Sequence, residues 1–189
     1  MNNTSRTMPA PLTYDDYCQI PDDGNRYEVI DGVLFMSPSP MYRHQKISRK
    51  LTVFLSNWAD RIKAGEVLYA PMDVVLSENN IVQPDLLFIS NERASIIEEK
   101  NIQGAPDLLI EILSEGNRRH DEVSKRDLYE RHGVLEYWIV DPVLETIKVY
   151  RLEEARFIKA AEWSLEAEDV IASPVLPGFE CRLADVFEV

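Results

Sequence analysis

Pro106-Asp107-Leu108-Leu109-Ile110-Glu111-Ile112-Leu113 reads as one strand carrying one residue foreign to it. The run is nearly continuous in its hydrophobicity, the pattern of a strand covered on both faces. Glu111 interrupts it, and a carboxylate left there costs on the order of several kcal/mol unless paired, protonated or bound to a cation. Alternation puts Glu111 on the face of Leu109 and Leu113. Downstream, the spacing predicts a helix at about 121–132, ended by Gly133 as a C-cap. Glu136-Tyr137-Trp138-Ile139-Val140 then returns as a second apolar strand. Strand, helix and strand in so short a span form a right-handed crossover, which makes the strands at 107–113 and 136–140 parallel. The sheet is extended by antiparallel strands at 146–151 and 156–160. The remainder, with Pro174, Pro177 and Gly178, reads as a mostly irregular wrap.

Upstream, Val82-Gln83-Pro84-Asp85-Leu86-Leu87-Phe88-Ile89 is a further strand, with Asp85 directly after a proline that ends ladder pairing. Short strands near 66–70 and 72–77 and a turn at Asn79-Asn80 precede it. Residues 43–63 form an amphipathic helix, since Ile47, Leu51, Phe54, Leu55, Trp58 and Ile62 follow the three-four spacing. His44 lies on the same stripe and points towards the core. Before it, Arg26-Tyr27-Glu28-Val29-Ile30-Asp31-Gly32-Val33-Leu34 is a hairpin turned at Asp31-Gly32. On its first strand Tyr27 and Val29 face one way, Glu28 and Ile30 the other. Residues 12–20 can form a short helix with Thr13 as N-cap and Asp16 completing a capping box.

The 189 residues read as a single domain, 12–189, after a disordered leader, 1–11. The leader has no hydrophobic segment after Arg6, so it is not a secretory signal, and no apolar run is long enough to span a membrane. Two lone cysteines, Cys18 and Cys181, suit a reducing cytoplasm and exclude a Cys-rich zinc site. The formal net charge of −13 opposes tight non-specific DNA binding. The charge is uneven, however: Arg43, Lys46, Arg49, Lys50, Arg61 and Lys63 crowd residues 41–63 against one acid, Asp60.

Asp85 and Glu111, on neighbouring strands, converge as a hard-oxygen site suited to Mg²⁺ or Mn²⁺. The plainer alternative is that each acid pairs with a buried Arg or Lys. Lys125 precedes the core residues Leu128 and Tyr129 by three and four positions, so it too points towards the sheet. It is either a structural partner of the carboxylates or the cation that orients an attacking water and stabilises charge on a phosphate. Glu28 is a fourth candidate, and an exposed hairpin acid otherwise. Pro106-Asp107 repeats the Pro-Asp pair, but about 13 Å of strand separates Asp107 from Glu111. Asp85 is therefore preferred.

The blocks RYEVIDGVLFMSP, a helix opened by His44, QPDLLFI, GAPDLLIEILS, the spaced Asp121 and Lys125, and GVLEYWIVDP together resemble the Uma2 family of the PD-(D/E)XK restriction-endonuclease-like superfamily. The resemblance implies a mixed α/β (α+β) fold with an α-β-β-β-α-β core around a mixed sheet, plus the N-terminal hairpin and antiparallel C-terminal extension. It matches Pro84-Asp85 to the family's first acid, Glu111 to its second, and Glu28 to an acid from the first element. The superfamily's lysine stands two residues beyond the second acid, where this chain has Leu113. In Uma2-like proteins that lysine is carried on the following helix, and Lys125 fits the place.

The expected function is Mg²⁺- or Mn²⁺-dependent endonucleolytic cleavage of DNA. Asp85, Glu111 and Glu28 would hold the metal, with Lys125 beside them. His44, Arg43 and Lys46 would contact the substrate backbone. DNA binding would be weak and metal-assisted, and the active species a homodimer. The rival readings are a non-catalytic nucleic-acid- or protein-binding module that keeps the fold, and a structural domain whose acids form a salt-bridge network.

Overall fold

The structure, a computed structural model, describes residues 10–37, 39–114, 116 and 118–188. Of the expected leader, residues 1–9 lie outside the described residues. Helix α1 (Tyr14–Tyr17) opens with the expected capping box: Asp16 N–H donates to Thr13 Oγ1, and Thr13 N–H to Asp16 Oδ2. Strands β1 (Arg26–Ile30) and β2 (Val33–Ser37) form the predicted hairpin. Its two-residue turn needs left-handed backbone at both positions, and Asp31 (φ 50°) and Gly32 (φ 74°) supply it. Only glycine fits at 32, because a Cβ there would sit 2.2 Å from that of Pro11.

Helix α2 (Tyr42–Ile62) is followed by β3 (Gly65–Tyr69), β4 (Val74–Ser77), β5 (Asn80–Val82), β6 (Leu86–Ser90), a 3-10 turn (Asn91–Ile96), β7 (Ile102–Gln103) and β8 (Leu108–Ile112). A π-helical turn, His120–Lys125, runs directly into α3 (Arg126–Arg131). Then come β9 (Glu136–Asp141), β10 (Thr146–Glu153), β11 (Arg156–Ser164), β12 (Val170–Ser173), β13 (Leu176–Arg182) and α4 (Leu183–Phe187).

The main sheet has the order β11-β10-β9-β8-β6-β3. Strands β8 and β9 are parallel, as the crossover requires, and the other pairs are antiparallel. Helix α2, strands β3, β6 and β8, helix α3 and strand β9 thus make the α-β-β-β-α-β core. A second sheet, β2-β1-β5-β4-β7, joins the N-terminal hairpin to β4 and β5, which lie between β3 and β6, and to β7, which lies between β6 and β8.

Alternation sorts the main sheet's side chains between two cores. Leu86, Phe88, Leu108, Ile110 and Ile112 pack with Ile47, Leu51, Leu55 and Trp58 of α2. Leu87, Ile89, Leu109 and Leu113 pack on the other face with Leu128 and Tyr129 of α3 and with Ile30 and Val82 of the second sheet. Glu111 belongs by parity to this second face, buried between the layers.

Three expectations are corrected. Residues 82–89 are not one strand: Gln83-Pro84-Asp85 breaks the run, leaving Val82 in one sheet and Leu86 in the other. Pro84 has no N–H for a ladder, so the chain changes sheets there. The helix expected at 121–132 is already helical at 118–119 and runs as a π turn over His120–Lys125 before α3. The tail is not an irregular wrap either, because β12 and β13 pair as a hairpin. Phe179, Cys181 and Leu183 alternate inward to the α2 core, and the Trp58 indole N–H donates to Pro177 O at 3.1 Å.

Candidate active site

Five segments bring the singled-out residues together where β6 begins and β8 ends: β1, α2, the break before β6, β8 and the π turn. The sheet break aims Asp85 into the gap between α2 and β8. Its Oδ2 accepts the Ile112 N–H at 2.8 Å and lies 3.0 Å from His44 Nε2, which reaches it from the first turn of α2. Two partners on one oxygen leave Oδ1 without a hydrogen bond among the described residues.

Glu111, 4% exposed, is held from the opposite side. Its Oε1 accepts the Tyr129 hydroxyl at 2.8 Å and the Lys125 ammonium at 2.8 Å. Lys125 Nζ also lies 2.9 Å from Glu28 Oε1 and 3.6 Å from Asp121 Oδ1. Glu28 is not an exposed hairpin acid: it is 1% exposed, and its Oε1 also accepts the Gln83 N–H at 2.8 Å. The ammonium is therefore buried among three carboxylates, with Asp85 nearby as a fourth acid.

These charges govern protonation. Burial pushes the Glu111 carboxyl well above the usual range; Lys125 opposes the rise, while Asp121, Asp85 and Glu28 add to it. Asp121 is pushed up to about 6, first by burial and then by Glu28 and Asp85 against the pull of Lys125. Burial would lower the Lys125 pKa, but Glu111, Glu28 and Asp121 overcome it and hold the ammonium well above its ordinary value. We take Lys125 as charged and the acids around it as ready acceptors of positive charge.

His44, Asp85, Glu111, Asp121 and Lys125 line a cleft of about 30 Å³, with Gln83 and Arg26 among the other residues of its wall. That is space for a water molecule or one ion, not for a nucleotide. Among the described residues, no three His, Cys, Asp or Glu side chains stand in position to hold a metal ion. The reason is visible in the contacts: Glu28 and Glu111 are folded onto Lys125, and one Asp85 oxygen is taken by His44 and Ile112.

The Uma2 family model, described as "Putative restriction endonuclease", matches residues 14–184. The chain belongs to the Uma2 family. A crystal structure described as "a putative nuclease belonging to DUF820" from Anabaena variabilis ATCC 29413 is similar to this Uma2 chain. It has a TM-score of 0.78 and 20% identity, covering 94% of this chain and 98% of that one. At that identity the likeness shows the fold, which is the mixed restriction-endonuclease-like fold expected. No curated protein matches the chain.

Within this Uma2 chain the structure gathers Asp85, Glu111, Lys125 and His44 in the cleft wall and sets Glu28 against Lys125, while Glu28, Arg43 and Lys46 lie outside the cleft lining. Arg43, exposed, pairs with Glu145 in the turn just before β10. Asp107 serves elsewhere, accepting the Ser90 N–H at 2.6 Å with Arg93 Nε 3.4 Å away. Three residues, Arg26, Tyr129 and Gln83, were given no site role by the sequence reading, and Asp121 was named only within the family resemblance. Arg26 shares the Glu28 face of β1 by parity. Asp121 and Tyr129 flank Lys125 at four residues on either side, the spacing of one helix face. Gln83 had no signal, since its place depends on the sheet break.

Proposed function

We propose that this Uma2 chain is an endonuclease that hydrolyses phosphodiester bonds of DNA with Mg²⁺ or Mn²⁺. One observation carries the reading: Asp85 and Glu111 converge with Lys125 on one ion-sized cleft, and Glu28 meets the same ammonium. The donor set fits a hard divalent cation, being all oxygen and carrying more negative charge than one ammonium offsets. Asp85, Glu111 and Glu28 would hold the ion, which when bound polarises a phosphate and lowers the pKa of a water.

The protein's own residues supply the rest. His44 and the Ile112 N–H fix the Asp85 carboxylate from behind, and Tyr129 does the same for Glu111. This support keeps the acids aimed without reorganisation. Lys125, kept charged, faces the negative charge that grows on the phosphate as water adds to phosphorus and the bond to the leaving sugar oxygen breaks. Arg26 at the cleft wall suits the neighbouring backbone. A cleft this small admits only the phosphodiester edge, so the bases stay outside and the chain reads backbone rather than sequence. The charge of −13 accords with weak binding that a cation must assist. A homodimer would let two such sites address two strands.

The test is cleavage of labelled DNA with Mn²⁺ by the wild type and by the Asp85→Ala and Glu111→Ala variants. Each variant is expected to stay folded and lose the metal-dependent cutting. Cutting that persists in either would overturn the assignment. One observation favours a second reading, a binding module without turnover: Lys125 is fully engaged by Glu28 and Glu111 while position 113 carries leucine. That reading expects no cutting by the wild type and no metal binding that depends on Glu111.

A further inference from the structure

Two oxygens in the cleft wall are buried without a hydrogen-bond donor: Asp121 Oδ1 and Gln83 Oε1. The orientation of the Gln83 amide is fixed. Its Nε2 donates to Asp73 Oδ1 at 2.8 Å and to the Tyr17 hydroxyl at 3.1 Å, so the carbonyl oxygen is the end left over. Asp121 Oδ1 has only the Lys125 ammonium near it, at 3.6 Å, beyond hydrogen-bond length. The Asp121 side chain is 5% exposed. Leaving a buried acceptor unmet costs on the order of 1–3 kcal/mol, and more when it is charged. Both oxygens are acceptors, and both residues line the space already walled by Asp85 and Glu111, as does His44, whose Nδ1 is likewise buried without a partner among the described residues. Acceptors of this kind are met by a cation or by water in its shell.

We propose that Asp121 is a further ligand of the cleft's divalent cation, contributed by the π turn rather than by the strands. The proposal rests on the reading of the cleft as a cation site. The turn is built to hold Asp121 in place: its main-chain carbonyl accepts the Tyr137 hydroxyl at 3.1 Å, and Arg118 at its start pairs with Asp141 of β9 at 2.7 Å. Asp121 and Lys125, four residues apart, are both buried on one side of this segment. The turn thus presents a ligand and the ammonium together, and a cation seated beside Asp121 relieves the crowding of negative charge around it.

The alternative is that Asp121 merely anchors Lys125, and the two roles move different quantities. Asp121→Asn keeps the side-chain shape and removes the charge. Mn²⁺ binding is measured by titration calorimetry, and metal-free thermal unfolding in parallel, for wild type and variant. A ligand role predicts Mn²⁺ affinity reduced at least about ten-fold, with a metal-free melting temperature unchanged or raised because one of several crowded negative charges is gone. Undiminished affinity overturns the proposal, whatever happens to stability. So does a variant that fails to fold without metal, since a carboxylate needed by the metal-free fold is an anchor of Lys125. Wild-type protein that binds no Mn²⁺ removes the cation site itself. Binding by wild type that Asp121→Asn leaves intact removes only the role of Asp121.

Discussion

Lys125 Nζ stands 2.8 Å from Glu111 Oε1 and 2.9 Å from Glu28 Oε1, joining a strand of the main sheet to one of the N-terminal hairpin through a single buried ammonium. The two carboxylates come from different sheets, so the ion pair is also a joint between them. Removing the cation leaves both acids buried and facing the same point.

Lys125→Met is therefore expected to destabilise the metal-free protein by about 3–5 kcal/mol, the usual consequence of breaking a buried pair. Millimolar Mn²⁺ should restore part of the loss, because a cation that binds the folded state alone stabilises it by mass action. Chemical denaturation with and without Mn²⁺ measures both. Wild-type stability in the metal-free variant would contradict the joint.

His44→Ala removes one of the two groups that fix Asp85 Oδ2 and leaves the Ile112 N–H as the other. Loss of such outer support typically weakens metal affinity by about 10–100-fold. Mn²⁺ titration of the folded variant should fall in that range. An unchanged affinity would make His44 a packing residue of the α2 stripe and nothing more.

The sheet core was legible because its signals are local. The apolar runs at 108–113, interrupted only by Glu111, and at 137–140, the three-four stripe of α2 and the Asp31-Gly32 turn each depend on a few adjacent residues. Glu111, Asp85 and Lys125 were legible as exceptions to those patterns. The tail hairpin was not, because Pro174, Pro177 and Gly178 masked the inward alternation of Phe179, Cys181 and Leu183. The place of Gln83 was hidden, and Asp121 was visible only as part of the family resemblance, for another reason. Their positions in the cleft wall depend on Pro84 sending the chain from one sheet to the other and on the π turn lying against β9. Such placement is tertiary, and no periodicity encodes it.

Asp141 offers a check on how the π turn is anchored. Burial acts to raise its pKa, but Arg118 and the N–H groups of Leu144 and Val143 prevail and hold it below the ordinary value of 3.8. A carboxyl lowered in the folded state contributes stability that is present above the unfolded value and lost as pH falls through the folded one. Asp141→Asn should thus cost about 1–3 kcal/mol at pH 7 and clearly less near pH 3. Denaturant unfolding at the two pH values tests this, and a cost that does not shrink in acid would contradict the assigned charge.

The two thiols should differ sharply in reactivity. Cys18 is exposed, whereas Cys181 is 5% exposed in the α2 core and burial pushes its pKa up to about 12. Only thiolates react at a useful rate. At pH 8 a thiol reagent should label one cysteine in the native protein and both after denaturation. Rapid native labelling of Cys181 would show that the tail hairpin does not pack on α2 as described.

The most direct measurement is Mn²⁺-dependent cleavage of linear, nicked and branched DNA by the wild type, beside the Asp85→Ala/Glu111→Ala double variant. Cutting by the wild type alone, abolished by chelation, is the predicted result. Cutting by both proteins, or by neither while Mn²⁺ binding is absent, would contradict the claim that these acids form a metal-dependent nuclease site.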